Sequence, residues 1–279
     1  MKKIEIIYNC KKAAHEMRSN ALNIAYSVNQ KKHNIHFGSS FSIIDILATL
    51  YIGIMNIDPN NITSRSRDRF ILSKGHGALA LYSALYVSKI ISEEDFCSFY
   101  QNGGDFPAHP VMNINKGIEF SSGSLGLGLS LGIGSALAGR INKLDYNVYI
   151  LMGNGECNEG TVWEAAMFAK HNKLSNLTVI IDNNSMQSDG NSNDILSYDV
   201  ESIWRGFGWN VVTVNDGNDI SQLYDALVPI QTNLPRVIIA KTVKGKGISF
   251  MENNGEWHHN KLNQEQFELA SQELIMQNS

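Results

Sequence analysis

From residue 147 onward the chain alternates between short apolar runs rich in Val and Ile and stretches with helical spacing. "NVYILM" (147–152), "LTVIID" (177–182), "NVVTV" (210–214) and "RVIIAKTV" (236–243) read as strands. Helical segments over 160–172, around "VESIWRGFG" and over 219–231 lie between them, and a last one covers 263–277. Near-continuous apolar strands, each followed by a helix, imply an α/β fold: a mostly parallel sheet covered by helices on both faces.

The N-terminal half is more helical. Ile7, Ala14, Met17, Ala21, Ile24, Ala25 and Val28 fall at three- and four-residue steps, predicting a long helix over 4–29. A second helix is predicted over 41–55, ended by "DPNN", and a short strand at "RFILS" (69–73). "GALALYSALYVSKI" reads as a helix, Ser92 with Asp95 as a capping box, and 125–142 as a Gly/Ala-rich helix. Two long loops, 102–122 and 244–260, interrupt the regular pattern. Loops of such length in a compact domain are functional or disordered. No Pro/Ser-rich linker, low-complexity tract or internal repeat divides the chain, so residues 1–279 are expected to form one domain.

The bulk properties exclude little. Hydrophobic residues are 43% and charged residues 18%, and the net charge of −4 gives no argument for nucleic acid or an anionic membrane. "MKKIEIIYNCKKAAHEM" lacks a signal-peptide core, and "FSIIDILATLYIGIMNI" carries Asp45 and reads as a buried helix. Cys10, Cys97 and Cys157 fit neither a disulfide framework nor zinc spacing, so a reducing cytoplasm is expected.

Two strand ends carry chemistry. "NVYILM" delivers Gly153-Asn154-Gly155, and "LTVIID" delivers Asn183-Asn184-Ser185-Met186. One crossover helix would set both turns on the same rim, at the carboxyl ends of strands, where α/β proteins bind ligands. Amide oxygens of Asn154 and Asn184 could there hold a hard cation beside a diphosphate, with the Gly155 N–H donating to phosphate oxygens. Equally, both could be ordinary turn asparagines. The chain has no G-x-x-x-x-G-K-[ST] motif. "GSLGLGLSLG" lacks dinucleotide spacing, and Gly128, Gly132 and Ala136 read better as a close-packing helix face. His36, His76, His109 and the His258-His259 pair all sit beside glycine, proline or loop sequence. A lone histidine is more often structural or solvated than catalytic. Several in loops together suggest a site.

Long motifs in order then identify a family. "IHFGSSFSIIDILATLY", "DRFILSKGHGALALYSAL", "SSGSLGLGLSLGIGSALAGR", "GNGECNEGTVWEAAMFAKHNKLSNLTVIIDNNSMQSDG" and "KTVKGKGISFMENNGEWHH" resemble the thiamine-diphosphate-binding half of transketolase, most closely the N-terminal subunit of split transketolases. The resemblance implies that Asn154, Asn184 and the Met186 carbonyl ligate Mg²⁺ or Ca²⁺. It implies that Gly153, Gly155 and Glu156 of the first turn, with Gly123 and Leu125 near the aminopyrimidine, bind cofactor. It gives His76 and His258 places beside the diphosphate and reacting centre, and His36 and His109 places along the sugar channel. All four histidines are thereby candidate catalytic residues. Glu159 matches a glutamate linking paired active sites.

Two departures stand out. The family has aspartate where this chain has Asn154, which keeps a ligand oxygen but removes a negative charge from the metal shell. The chain also ends where the family continues into a pyrimidine-binding domain, whose glutamate activates the cofactor. A partner chain carrying that domain, in an α2β2 assembly, is therefore expected. The implied activity is transfer of a two-carbon ketol unit from a ketose or its phosphate to an aldose. The alternatives are another thiamine-diphosphate enzyme subunit, or a non-catalytic scaffold that Asn154 has deprived of metal and diphosphate.

Overall fold

The computed structural model describes residues 2–277. Helix α1 (Lys3–Gln30) buries Ala14, Met17, Ala21, Ala25 and Val28, the face its periodicity predicts. The apolar stretch after it does not form one helix. It folds as α2 (Phe37–Phe41), α3 (Ile44–Ala48) and a π-helical turn over Thr49–Ile54. The break falls at Ser42–Ile43, where the Ser42 hydroxyl donates to Asp182 at 2.8 Å. Asp45, 4% exposed within this apolar run, accepts from both terminal guanidinium nitrogens of Arg18. Such pairing is what makes a buried carboxylate tolerable. Phe37–Ile54 has the hydropathy of a membrane span, yet 83% of it is buried inside this fold, so it serves as core.

Strand β1 (Arg69–Leu72) leads to α4 (Ala78–Val87) and α5 (Glu93–Cys97). The Ser92–Asp95 capping box is formed, with both reciprocal bonds at 3.1 Å. After the long loop come α6 (Leu127–Ile141), β2 (Val148–Gly153), α7 (Gly160–His171) and β3 (Leu177–Asp182). The chain continues through α8 (Ser192–Ile195), α9 (Val200–Gly206), β4 (Asn210–Val214), α10 (Ile220–Leu227), β5 (Arg236–Ala240) and α11 (Gln264–Gln277). The sheet is parallel throughout, in the order β1-β2-β3-β5-β4.

Alternate strand residues serve two cores. Tyr149, Leu151 and Ile180 join the core built with α1, α3 and α4, while Val148, Ile150, Met152, Val179 and Ile181 join the one under α6, α7 and α9. Both faces are covered, which is why the central strands are apolar at nearly every position. Two elements stop earlier than their pattern suggests. Helix α10 ends at Leu227 because Pro229 follows and the Arg236 guanidinium takes the carbonyls of Ala226, Leu227 and Val228. Strand β5 leaves the sheet at Ala240, opposite the last residue of β3.

The small-residue face of α6 is a close approach. A Cβ on Gly128 would sit 2.2 Å from the Ser73 Oγ, and one on Gly132 would sit 2.2 Å from the Ile150 Cδ1. Gly128→Ala is therefore expected to destabilise by about 1–3 kcal/mol through overpacking. Gly134→Ala, where an added Cβ meets nothing within 4 Å, should stabilise by about 0.5–1 kcal/mol. Urea unfolding of the two variants checks this; equal midpoints would contradict the packing.

Candidate active site at the strand ends

The carboxyl ends of β1, β2, β3 and β5 meet at one rim, aligned by the registers Gly153↔Asp182 and Asp182↔Ala240. β1 runs out into Ser73-Lys74-Gly75-His76, and β2 into Gly153, Asn154 and Gly155. β3 runs out into Asn184 and Met186, with Ser185 between them at φ +59°. That left-handed residue makes the turn tight enough to present both neighbours to one side. His36 arrives from the turn before α2, His109 from the 102–122 loop, Gly123 and Leu125 from the approach to α6, and His258 from the loop after β5. All of these except Ser73, Gly75 and Ser185, together with Glu156, line a single cavity. Glu159 does not line it; its side chain is exposed outside.

The histidines form a cluster. The His36 ring centroid lies 5.6 Å from His76, 5.7 Å from His109 and 5.4 Å from His258. His259, given no role from the sequence, stacks on His36 at 4.3 Å. Burial, then neighbouring His259, His258 and His109, then Lys74, lower His36 to about 3. Burial and Lys244 lower His258 to about 4. Burial, then Lys74, holds His76 well below its ordinary value, and burial with His259 lowers His109. The four rings are thus neutral at pH 7 and serve as hydrogen-bond donors and acceptors rather than charges.

This has a sign for stability. The unfolded chain protonates these rings near 6.5, whereas the folded chain accepts protons on His258 and His36 only near 4 and 3. Stability is therefore complete above pH 6.5 and falls as pH drops from there toward 3. For the ligand-free chain, the urea midpoint should fall between pH 7 and pH 5, and less so in His36→Asn. A flat wild-type profile would contradict the cluster.

Beneath the histidines lies a buried polar network missed by sequence reasoning. Asp182, fully buried, accepts from Lys74 Nζ, Thr242 Oγ1, Ser42 Oγ and Asn184 Nδ2. Lys244, 2% exposed, donates from Nζ to the Gln187 carbonyl and faces His258 Nδ1, both at 3.1 Å. Burial, then Lys74, lowers it to about 8. The signal for both lysines was their place in "LSKGHG" and "KTVKGKG", beside strand ends and glycines. Ser39 Oγ is buried at the cavity wall, with no hydrogen-bond partner among the described residues.

Glu156 lines the cavity and also braces it. Its carboxylate accepts the Ser73 hydroxyl, the Gly126 N–H (2.8 Å) and the Gly153 N–H (3.2 Å). Both oxygens are occupied, so it ties three cavity segments together; burial pushes its pKa up. Gly155 is a close approach, since a Cβ there would stand 2.9 Å from Gln187 Cγ.

The residues present fit a cation bound together with an anion. No group of three His, Cys, Asp or Glu among the described residues could hold a metal. A cation here would rest on the amide oxygens of Asn154 and Asn184, the latter also accepting the Met186 N–H at 3.1 Å, and on the Met186 carbonyl. An all-oxygen set suits Mg²⁺ or Ca²⁺. Those oxygens are neutral, and the nearby Asp182 charge is taken by Lys74. The negative charge such a cation needs must therefore come with the ligand. Lys244 and the orphan Ser39 hydroxyl suit a diphosphate.

The family described as "Transketolase, thiamine diphosphate binding domain" matches residues 11–279. One subunit of the apulose-4-phosphate transketolase of Phocaeicola vulgatus is 39% identical over 242 residues, which is 86% of this chain and 85% of that protein. The 6-deoxy-6-sulfo-D-fructose transketolase subunit SqwG of Clostridium sp. (strain MSTE9) is also 39% identical, over 86% of this chain and 88% of that one. Transketolase from Campylobacter jejuni superposes with a TM-score of 0.85 at 27% identity, covering 95% of this chain. This chain spans only 43% of that structure's length.

Proposed function

The chain belongs to the transketolase thiamine-diphosphate-binding domain family, and from that premise we propose that it is the N-terminal subunit of a two-subunit transketolase. The observation that carries this reading is the meeting, in one cavity, of the four histidines with the Asn154, Gly155 and Asn184 turns. The reaction is transfer of a two-carbon ketol unit from a ketose or its phosphate to an aldose. Two relatives matching most of this chain are named as transketolase subunits, which supports a transferase that works with a second chain. That partner would supply the pyrimidine-binding domain, in an α2β2 complex. Residues 1–279 then act as a single diphosphate-binding domain, and three free cysteines agree with a cytoplasmic setting.

Thiamine diphosphate, when bound, supplies the electron sink that cleavage of a C–C bond beside a carbonyl requires. This chain's residues hold and orient. Asn154, Asn184 and the Met186 carbonyl would hold Mg²⁺ or Ca²⁺ against the diphosphate, with Gly155, Lys244 and Ser39 beside it. Gly123 and Leu125, on the cavity wall, would border the ring system. His36 and His109 line the way in and offer neutral donors to sugar hydroxyls. His76 and His258 can pass a proton near the reacting atoms.

Asn154 gives the experiment its form. In the assembled complex, Asn154→Asp is expected to tighten cation binding, lowering the Mg²⁺ concentration required, while changing two-carbon transfer only modestly. A wild-type complex that is inactive until Asn154→Asp revives it would establish a silent paralogue instead.

A further inference from the structure

An asparagine in place of an aspartate raises a problem of orientation. A carboxylate presents an oxygen whichever way it is turned, whereas a carboxamide presents an oxygen one way and an N–H₂ the other. An N–H₂ aimed at a cation repels it. A site that relies on amide oxygens must therefore hold each amide the right way round.

The two asparagines both show such a hold. Asn184 Nδ2 donates to Asp182 at 2.9 Å, and Asn154 Nδ2 donates to the Ser192 hydroxyl. We propose that Ser192 is a positioning residue for the cation site, accepting the Asn154 amide N–H so that the Asn154 oxygen is left for the cation. Asn154 is otherwise fixed through its backbone: its N–H donates to the Asp182 carbonyl (3.2 Å), and its carbonyl accepts the Tyr198 hydroxyl (3.0 Å). At 8% exposure, water gives its amide little alternative.

Ser192 is itself anchored to the other half of the site. Its backbone N–H donates to the Ser185 carbonyl at 2.9 Å, and Ser185 is the left-handed residue between Asn184 and Met186. One residue thus ties the two candidate ligand turns together, by backbone to one and by hydroxyl to the other. Losing the hydroxyl leaves the backbone tie intact, which makes the substitution clean.

The assignment rests on Asn154 and Asn184 holding the cation. Its test is a Mg²⁺ titration of the complex at saturating thiamine diphosphate, with retained cofactor measured by oxidation to fluorescent thiochrome. Ser192→Ala should raise the Mg²⁺ concentration for half-retention about tenfold, the usual scale for a group that orients a ligand. Ser192→Thr, which keeps the hydroxyl, should restore it. In an Asn154→Asp background, Ser192→Ala should matter by less than about twofold, the non-additivity of residues acting through one another. An unchanged Ser192→Ala, or an equal loss in both backgrounds, overturns the positioning role while the cofactor reading stands. A wild-type complex that retains no cofactor at any Mg²⁺ concentration overturns both.

Discussion

Asp182→Ala is expected to destabilise the folded chain by about 3–5 kcal/mol, the scale for removing one partner of a buried ion pair. Asp182 is fully buried and accepts from four side chains, and its removal strands Lys74, 2% exposed, as an unpaired ammonium. Lys74→Met should cost less, because the carboxylate keeps its Ser42, Thr242 and Asn184 donors. Urea unfolding followed by circular dichroism checks both. A loss below about 1 kcal/mol for Asp182→Ala, well under the cited scale, would mean that the network forms without holding the rim. The ends of β1 and β3 are joined through this one carboxylate, so cofactor affinity in the complex should fall with stability.

His258→Ala should lower turnover of the complex by about 10²–10⁴, the range for a positioned proton-transfer group. Lys244 carries only donors, so the 3.1 Å contact makes His258 Nδ1 the acceptor and places the ring proton on Nε2. Burial and Lys244 keep the ring neutral down to about pH 4. His258→Asn keeps a donor and should retain more activity than His258→Ala. A pure KM effect with unchanged kcat would assign His258 to sugar binding alone.

The sheet was legible because its central strands are buried on both faces, so they appear as near-continuous apolar runs flanked by helical spacing. The break at Ser42–Ile43 was not legible. Its partner is Asp182, 140 positions away, and no local pattern encodes a distant carboxylate. The histidines and asparagines could be found because they stand next to glycines at strand ends. Lys74 and Asp182 could not be paired from sequence, since a charge near a loop reads as solvated until the fold brings its partner, 108 residues on, to 2.5 Å. Nor does the sequence tell that the Glu156 carboxylate accepts from Ser73, Gly126 and Gly153. Composition says that a carboxylate is present; only the packing says what it faces.

The most direct measurement is to purify this chain, tagged, from its own host. Co-purifying proteins would be identified by mass spectrometry, and thiamine diphosphate would be quantified as thiochrome. The account predicts a second chain in stoichiometric amount, with bound cofactor that is lost on chelation and regained with Mg²⁺. The chain alone, without cofactor even when Mg²⁺ and thiamine diphosphate are supplied, would contradict it.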